Sequence, residues 1–163
     1  MSTPVQVVAF DLESLLEEAF RQLVDDAALF TTEEITTSPV QIASGWDSYE
    51  KLTGQLVTIF ARASTSEVAG AGYTGNRTIT IELSARSHFK DTSGDDHKAL
   101  VEALFPLVYT VDLPGLLNAR ATGVQVMAAV PREKTRSTTN DWRISTIGVE
   151  CYVFGVDPTP PDP

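Results

Sequence analysis

Hydrophobic and polar residues along the chain follow two different periods. Between residues 10 and 29, apolar side chains recur every three or four positions, which predicts an amphipathic helix. Between Arg77 and Arg86 they alternate instead, and Ile79, Ile81 and Leu83 fall on one side of the segment. This alternation predicts a strand with one buried face.

Shorter patterns predict the remaining elements. Apolar positions between Ala99 and Leu107 predict a second helix, with Asp95 or Asp96 as its N-cap and a bend or end at Pro106. The other predicted elements are strands over Leu56–Ala61, Gly123–Pro131 and Trp142–Phe154, a short helix over Leu113–Ala121, and an edge strand or extended loop over Ile35–Ile42.

Two polar segments interrupt this order. Residues 64–76 are rich in glycine and small polar residues, which predicts a flexible loop. Residues 131–141, PREKTRSTTND, separate the last two predicted strands, which favours a hairpin with a long polar tip. Few helices between strands, together with a final hairpin, favour an α+β fold. We expect a two-layer sandwich with a mostly antiparallel mixed sheet and helices packed on one face.

Length and composition agree with one globular unit. The chain has 163 residues, of which 42% are hydrophobic, so a core of ordinary size is expected. We expect a single α+β domain over residues 1–156 and an extended proline-rich arm over residues 157–163. The short apolar runs predict neither a secretory signal nor a membrane span, so synthesis in a cytoplasm is expected.

Charge is distributed unevenly along the chain. The net charge is −10, and residues 1–50 hold ten acids against one base, Arg21. This balance argues against sequence-independent nucleic-acid binding and against an anionic membrane surface, because both need exposed lysine and arginine. The ordinary explanation of such a segment is a solvated acidic helix face.

The candidate catalytic chemistry is confined to one loop. Both histidines of the chain lie within ten residues of three aspartates, which allows the alternative of a metal-dependent hydrolase. The residues concerned are His88, Asp91, Asp95, Asp96 and His97. Their spacing matches no metal motif, and aspartates at a helix start act as caps, so we expect no enzyme, no metal and no cofactor.

Two further motifs carry little chemical weight. Gly70, Gly72 and Gly75 have G-x-G-x-x-G spacing, but a strand follows them where a phosphate site needs a helix. Cys151 is the single cysteine and falls inside a predicted strand, which indicates a small buried apolar group.

The segment before the last strand collects positive charge. Residues 132–143 carry four of the twelve bases of the chain, and we predict that they form an interface for an acidic partner. A second copy of the chain is one such partner, through acids of the first helix; a solvated mobile loop and contact with passing DNA are the alternatives. The predicted interface residues are Arg132, Lys134, Arg136, Arg143, Glu13, Glu17 and Glu18.

The order of these elements resembles that of tail terminator and other neck proteins of tailed bacteriophages. The resemblance spans residues 10–156 and rests on the amphipathic helix, on NRTITIELSARSHFKDTSGDDHKALVEALF and on DWRISTIGVECYVF. It implies a structural virion protein made in the host cytoplasm.

In this family such a protein forms a ring, typically a hexamer, that caps the head-proximal end of the tail tube. The resemblance implies partners in the tube protein and the head connector, with DNA passing through the lumen without specific binding. The arm over residues 157–163 could then lie on a neighbouring subunit. The alternatives are another neck or head-completion protein and a transient tail-assembly chaperone.

Overall fold

A computed structural model describes residues 12–27, 40–44, 54–67, 76–90, 92–121, 123–139 and 141–155. Within these residues, three α-helices and one 3₁₀ helix accompany a five-stranded sheet. In chain order the elements are α1 (Leu12–Asp26), β1 (Val40–Ser44), β2 (Gln55–Glu67), β3 (Asn76–His88), α2 (Gly94–Leu104), the 3₁₀ helix (Phe105–Tyr109), α3 (Leu113–Asn118), β4 (Val124–Thr138) and β5 (Trp142–Gly155). None of the described helices has the length and apolarity needed to cross a bilayer.

The sheet has the strand order β1-β2-β3-β5-β4. The short edge strand β1 pairs with β2 in parallel, and the remaining neighbours pair antiparallel. The last strand of the chain therefore lies between β3 and β4, and β4 forms the second edge. This arrangement confirms the predicted α+β fold with a mostly antiparallel mixed sheet.

The core lies between one face of the sheet and the helices. The alternation predicted for β3 is confirmed, since Ile79, Ile81 and Leu83 are fully buried there. β5 adds a matching row, and the helices cover both rows with leucine and phenylalanine side chains. Other members of this core are Leu12, Leu16, Phe20, Val57, Ile59, Leu100, Leu104, Leu117, Ile147 and Val149.

The strand β2 is longer than its apolar run. Ser64 to Glu67, predicted as part of a loop, continue β2 and pair with β3 as far as Asn76. Small polar residues do not break a strand when a partner supplies the whole backbone ladder. Residues 68–75, with the three loop glycines, lie outside the described residues, and so do Ile35–Pro39 of the predicted edge strand or extended loop and residues 156–163.

The predicted long tip of the last hairpin is wrong. β4 continues through residues 132–138, and the connection to β5 is only residues 139–141. Thr139 N donates to Trp142 O at 3.0 Å, which closes the turn. Every residue from 132 to 138 is exposed, so this segment has no alternation of buried and exposed side chains that the sequence could show. It is a strand because its backbone pairs with β5.

The helix boundaries follow local chemistry. The N-cap of α2 is Ser93, not Asp95 or Asp96: Ser93 Oγ accepts from Asp96 N at 3.2 Å, and Asp96 Oδ2 accepts from Ser93 N at 2.7 Å. This is a capping box, in which two groups at the helix start satisfy each other. Pro106 ends α2 as predicted, and the chain continues as the 3₁₀ helix.

A buried carboxylate fastens α1 to the sheet. Glu17 is 7% exposed, and its Oε2 accepts from Ala61 N at 2.9 Å. Ala61 stands where β2 shifts register against β3, a β-bulge that interrupts the ladder. Glu17 therefore supplies an acceptor to a backbone group beside the bulge.

Replacing Glu17 by alanine should lower the free energy of unfolding by about 1–3 kcal/mol, because a buried N–H would lose its acceptor. Urea denaturation measures this loss. The matched control is Glu18→Ala, which removes an exposed ion pair worth less than about 1 kcal/mol. Equal losses in the two variants would contradict the role assigned to Glu17.

Candidate functional site

The four bases of residues 132–143 lie on opposite faces of the sheet edge. Lys134 and Arg136 pair with Ile147 and Ser145, two buried residues of the helix-covered face. Arg143 alternates with Ser145 and shares that face. Arg132 lies on the other face, where its Nε is 3.1 Å from Glu150 Oε2. The sequence predicted one loop for all four cations, whereas the structure places three of them on the helix-covered face and Arg132 on the other.

A cleft of about 470 Å³ opens on the helix-covered face between α2 and the outer strands. Its floor is polar, its rim is charged, and Val101 provides an apolar wall. The lining residues are Gly94, His97, Lys98, Val101, Glu102, Arg136 and Ser145.

His97 bridges α2 to the sheet at the bottom of this cleft. Its Nδ1 lies 2.8 Å from Ser87 Oγ on β3, and its Nε2 lies 2.8 Å from Ser145 Oγ on β5. Burial lowers the pKa of His97, and the positive charges of Arg143 and Arg136 lower it further. The ring is therefore neutral at pH 7, with one nitrogen donating and the other accepting.

In the Ser145–His97–Ser87 chain, an imidazole contacts a serine hydroxyl, as in a nucleophilic site, but the backbone donors of such a site are missing. Ser145 lies within a regular strand, paired with Ala85 and Arg136, so its neighbouring backbone N–H groups belong to the sheet ladder. An acyl-transfer site needs free N–H donors for the developing oxyanion. The geometry favours a mechanical role, in which the imidazole fixes the distance between α2 and two strands.

The histidine and aspartate loop is not brought together as a metal site. His88 pairs with Trp142 and meets that ring edge-on at 5.0 Å, on the face opposite to His97. Asp96 belongs to the capping box of α2. Among the described residues, which do not include Asp91, no three acidic, histidine or cysteine side chains form a group that could hold a metal.

Two cations on the outer strand have no acidic partner. Lys134 and Arg136 form no ion pair with any residue that the structure describes; Lys134 Nζ lies 5.4 Å from the centre of the Tyr109 ring. Arg143 stacks on Phe89 at 4.3 Å and donates to Thr92 O. We call Tyr109, Lys134, Arg136 and Arg143 the basic edge.

The opposite face of the same strands is electrostatically balanced. Arg132 pairs with Glu150, and Arg62 Nε lies 3.5 Å from Glu82 Oε1. Hydrogen bonds from Tyr152 and Arg132 lower the pKa of Glu150, so this carboxylate stays ionised. Arg132 thus has a carboxylate partner within the chain, whereas no ion pair of Lys134, Arg136 or Arg143 is found among the described residues.

The acids predicted for the interface on α1 are mostly engaged within the chain. Glu17 is buried at the β2 bulge, and Glu18 binds Arg21 with oxygen–nitrogen distances of 2.6 and 2.9 Å. The hydrogen bond from Arg21 lowers the pKa of Glu18. Glu13 is partly exposed and has no ion-pair partner among the described residues.

Sequence reasoning missed Ser87 and Ser145. Both occupy positions where the alternation of their strands requires apolar side chains, and both are nearly fully buried. A small hydroxyl residue at a core position indicates a buried polar partner, and that signal was available before the structure. The partner of both serines, His97, lies on α2, and the alternation within the strands gives no information about that helix.

The interpretation of Cys151 as a small buried apolar group is confirmed. The side chain is fully buried among the core residues of β5, and this burial raises the pKa of the thiol to about 12.

Comparison with known proteins gives a structural match only. No protein-family profile matches the chain, and no curated protein sequence matches it. A solved structure described as the virion of native gene transfer agent (GTA) particle contains a chain of similar fold, with a TM-score of 0.51 and 13% sequence identity. The similarity covers 87% of this chain and 96% of that one. At this identity the match concerns the fold.

The stability of the protein should depend on pH through His97. Because folding lowers its pKa, the stabilising contribution of the neutral ring is complete above the ordinary value of 6.5 and is lost as pH falls through the lowered value. Urea denaturation of wild type and His97→Gln between about pH 5 and pH 8 measures this. The wild type should lose more stability than the variant towards acid; parallel profiles would contradict the assignment.

Cys151 should not react with a thiol reagent in the folded protein. Its burial and raised pKa keep the thiolate concentration negligible at mildly alkaline pH. Titration with an aromatic disulfide should release no chromophore without denaturant and one equivalent in urea. Rapid reaction of the native chain would show that β5 is accessible.

Proposed function

We propose that this chain is a structural protein of a phage-like virion. The observation that carries the proposal is the fold shared with a chain of the gene transfer agent particle over most of both chains. The resemblance of the element order to phage neck proteins supports the same class independently of that match. In this role the protein acts by assembly, and its localisation is the virion after synthesis in the host cytoplasm.

Within that class we propose a tail terminator-like ring subunit. Its partners would be further copies of itself, the tail tube protein and the head connector. The sheet is compatible with such assembly because, within the described residues, β1 and β4 each lie at an edge of the sheet with one strand neighbour. Contacts between unlike surfaces of identical subunits form a ring when the rotation between subunits closes. The net charge of −10 suits a ring through which DNA passes without sticking.

We further propose that the protein is not an enzyme. The strongest catalytic arrangement in the described residues is the bridge of His97 between two serines. The position of Ser145 inside a paired strand leaves its backbone N–H groups in the ladder. The bridge accounts for these side chains as a structural link between α2 and the sheet.

Electron microscopy of tail tubes assembled with and without the protein tests the ring subunit. Tubes made with the protein should have uniform length and carry a cap of density at one end, and native mass spectrometry should give the number of copies. Tubes of unregulated length without bound protein would overturn the terminator. Protein needed for tube formation but absent from finished particles would indicate an assembly chaperone instead.

A further inference from the structure

The cations of the basic edge form no ion pair within the described part of the chain. Lys134 and Arg136 point the same way from alternate positions of β4, and Arg143 lies beside them on β5. The positive field of Arg136 and Arg143 is strong enough to act on the His97 ring. Three cations that make no ion pair among the described residues, on a chain of charge −10, offer charge complementarity to acidic groups.

Three of the five acids of α1 are poor candidates for this partner. They are already engaged: Glu17 by a backbone N–H, Glu18 by Arg21 and Asp26 by Arg120, whose Nε lies 2.8 Å from Asp26 Oδ2. Pairing any of these with another copy would first break a contact within the chain.

We propose that the basic edge binds the acidic, proline-rich segment 157–163 of a second copy of this chain. The proposal rests on the ring assembly proposed above and identifies its subunit contact. The segment, DPTPPDP, carries two aspartates, no base and four prolines. Its prolines favour a polyproline II conformation, which docks on exposed aromatic rings at low entropic cost.

Tyr109 supplies such a ring. It is 55% exposed and lies next to the Lys134 ammonium group at the basic edge. An aromatic surface flanked by cations matches a segment that carries both prolines and aspartates. The apolar rings would then meet Tyr109, while the carboxylates meet Lys134 and Arg136.

Geometry excludes the chain's own segment. β5 ends at Gly155, and Ile147, the partner of Lys134, precedes it by eight residues, or about 26 Å along the strand. Because β5 runs away from the basic edge, the segment would have to turn back, which takes about four residues. Asp162 is seven residues beyond Gly155, so about three residues remain after the turn. In a polyproline II conformation they span about 9 Å, which is shorter than the distance back to Lys134. The contact must therefore form between two copies.

Disulfide trapping in the full chain tests this contact. Thr138→Cys lies on the face of the basic edge, and Thr159→Cys lies between the two aspartates; neither substitution removes a charge. A mixture of the two variants should form a covalent dimer under mild oxidation. The matched control is Thr135→Cys, an exposed position of the same strand on the opposite face. Buried Cys151 does not compete.

We expect about tenfold more dimer with Thr138→Cys than with Thr135→Cys, because docking raises the effective concentration of the two thiols. Adding Lys134→Gln and Arg136→Gln should abolish this preference, whereas Arg132→Gln, on the other face, should leave it. Equal trapping at residues 135 and 138, or trapping that survives neutralisation of the basic edge, would overturn the proposal.

A chain carrying both Thr138→Cys and Thr159→Cys separates the two directions of contact. Dimers and larger species that increase with concentration support docking between copies, and an internal disulfide at high dilution overturns it. If wild-type protein caps tail tubes but none of these pairs is trapped, the docking proposal fails and the ring function stands. If wild-type protein does not associate with tubes, the proposed function itself fails.

Discussion

The structure depends on the insertion of β5 between β3 and β4. This strand pairs with β3 from Trp142 to Phe154 and with β4 from Arg143 to Gly155, so both of its edges are occupied. Its buried side chains, including Ile147 and Val149, complete the core under the helices. Without β5 the outer strand would have no partner, and the cations of the basic edge would have no fixed direction. Fold and candidate interface thus depend on the same backbone ladder.

The sequence predicts those elements that bury a periodic apolar face. In α1 and β3 the spacing of apolar residues reports directly which side meets the core, because burial repeats with the period of the element. Pro106 likewise acts locally, through a fixed φ and a missing N–H, and its effect on the end of α2 follows from sequence. The fold class follows from the order of these elements.

The remaining features depend on partners that are distant in the chain. Residues 132–138 form a strand only because β5 pairs with them, and their exposure removes any periodic signal. The contacts of Glu17 with Ala61 and of His97 with Ser145 join residues more than forty positions apart in the chain. For the same reason, sequence identifies the cations of the basic edge but cannot assign each one to a face of the sheet.

The irregularities of β4 bear on how readily this edge of the sheet pairs with other strands. A fifteen-residue edge strand presents a row of backbone groups that can template pairing with any other exposed strand. β4 breaks this row with register shifts at Val126/Ala128 and Pro131/Lys134, and Pro131 has no N–H to donate. These breaks limit aggregation of newly made chains through strand pairing. They leave the side chains of the edge, rather than its backbone, to select the partner.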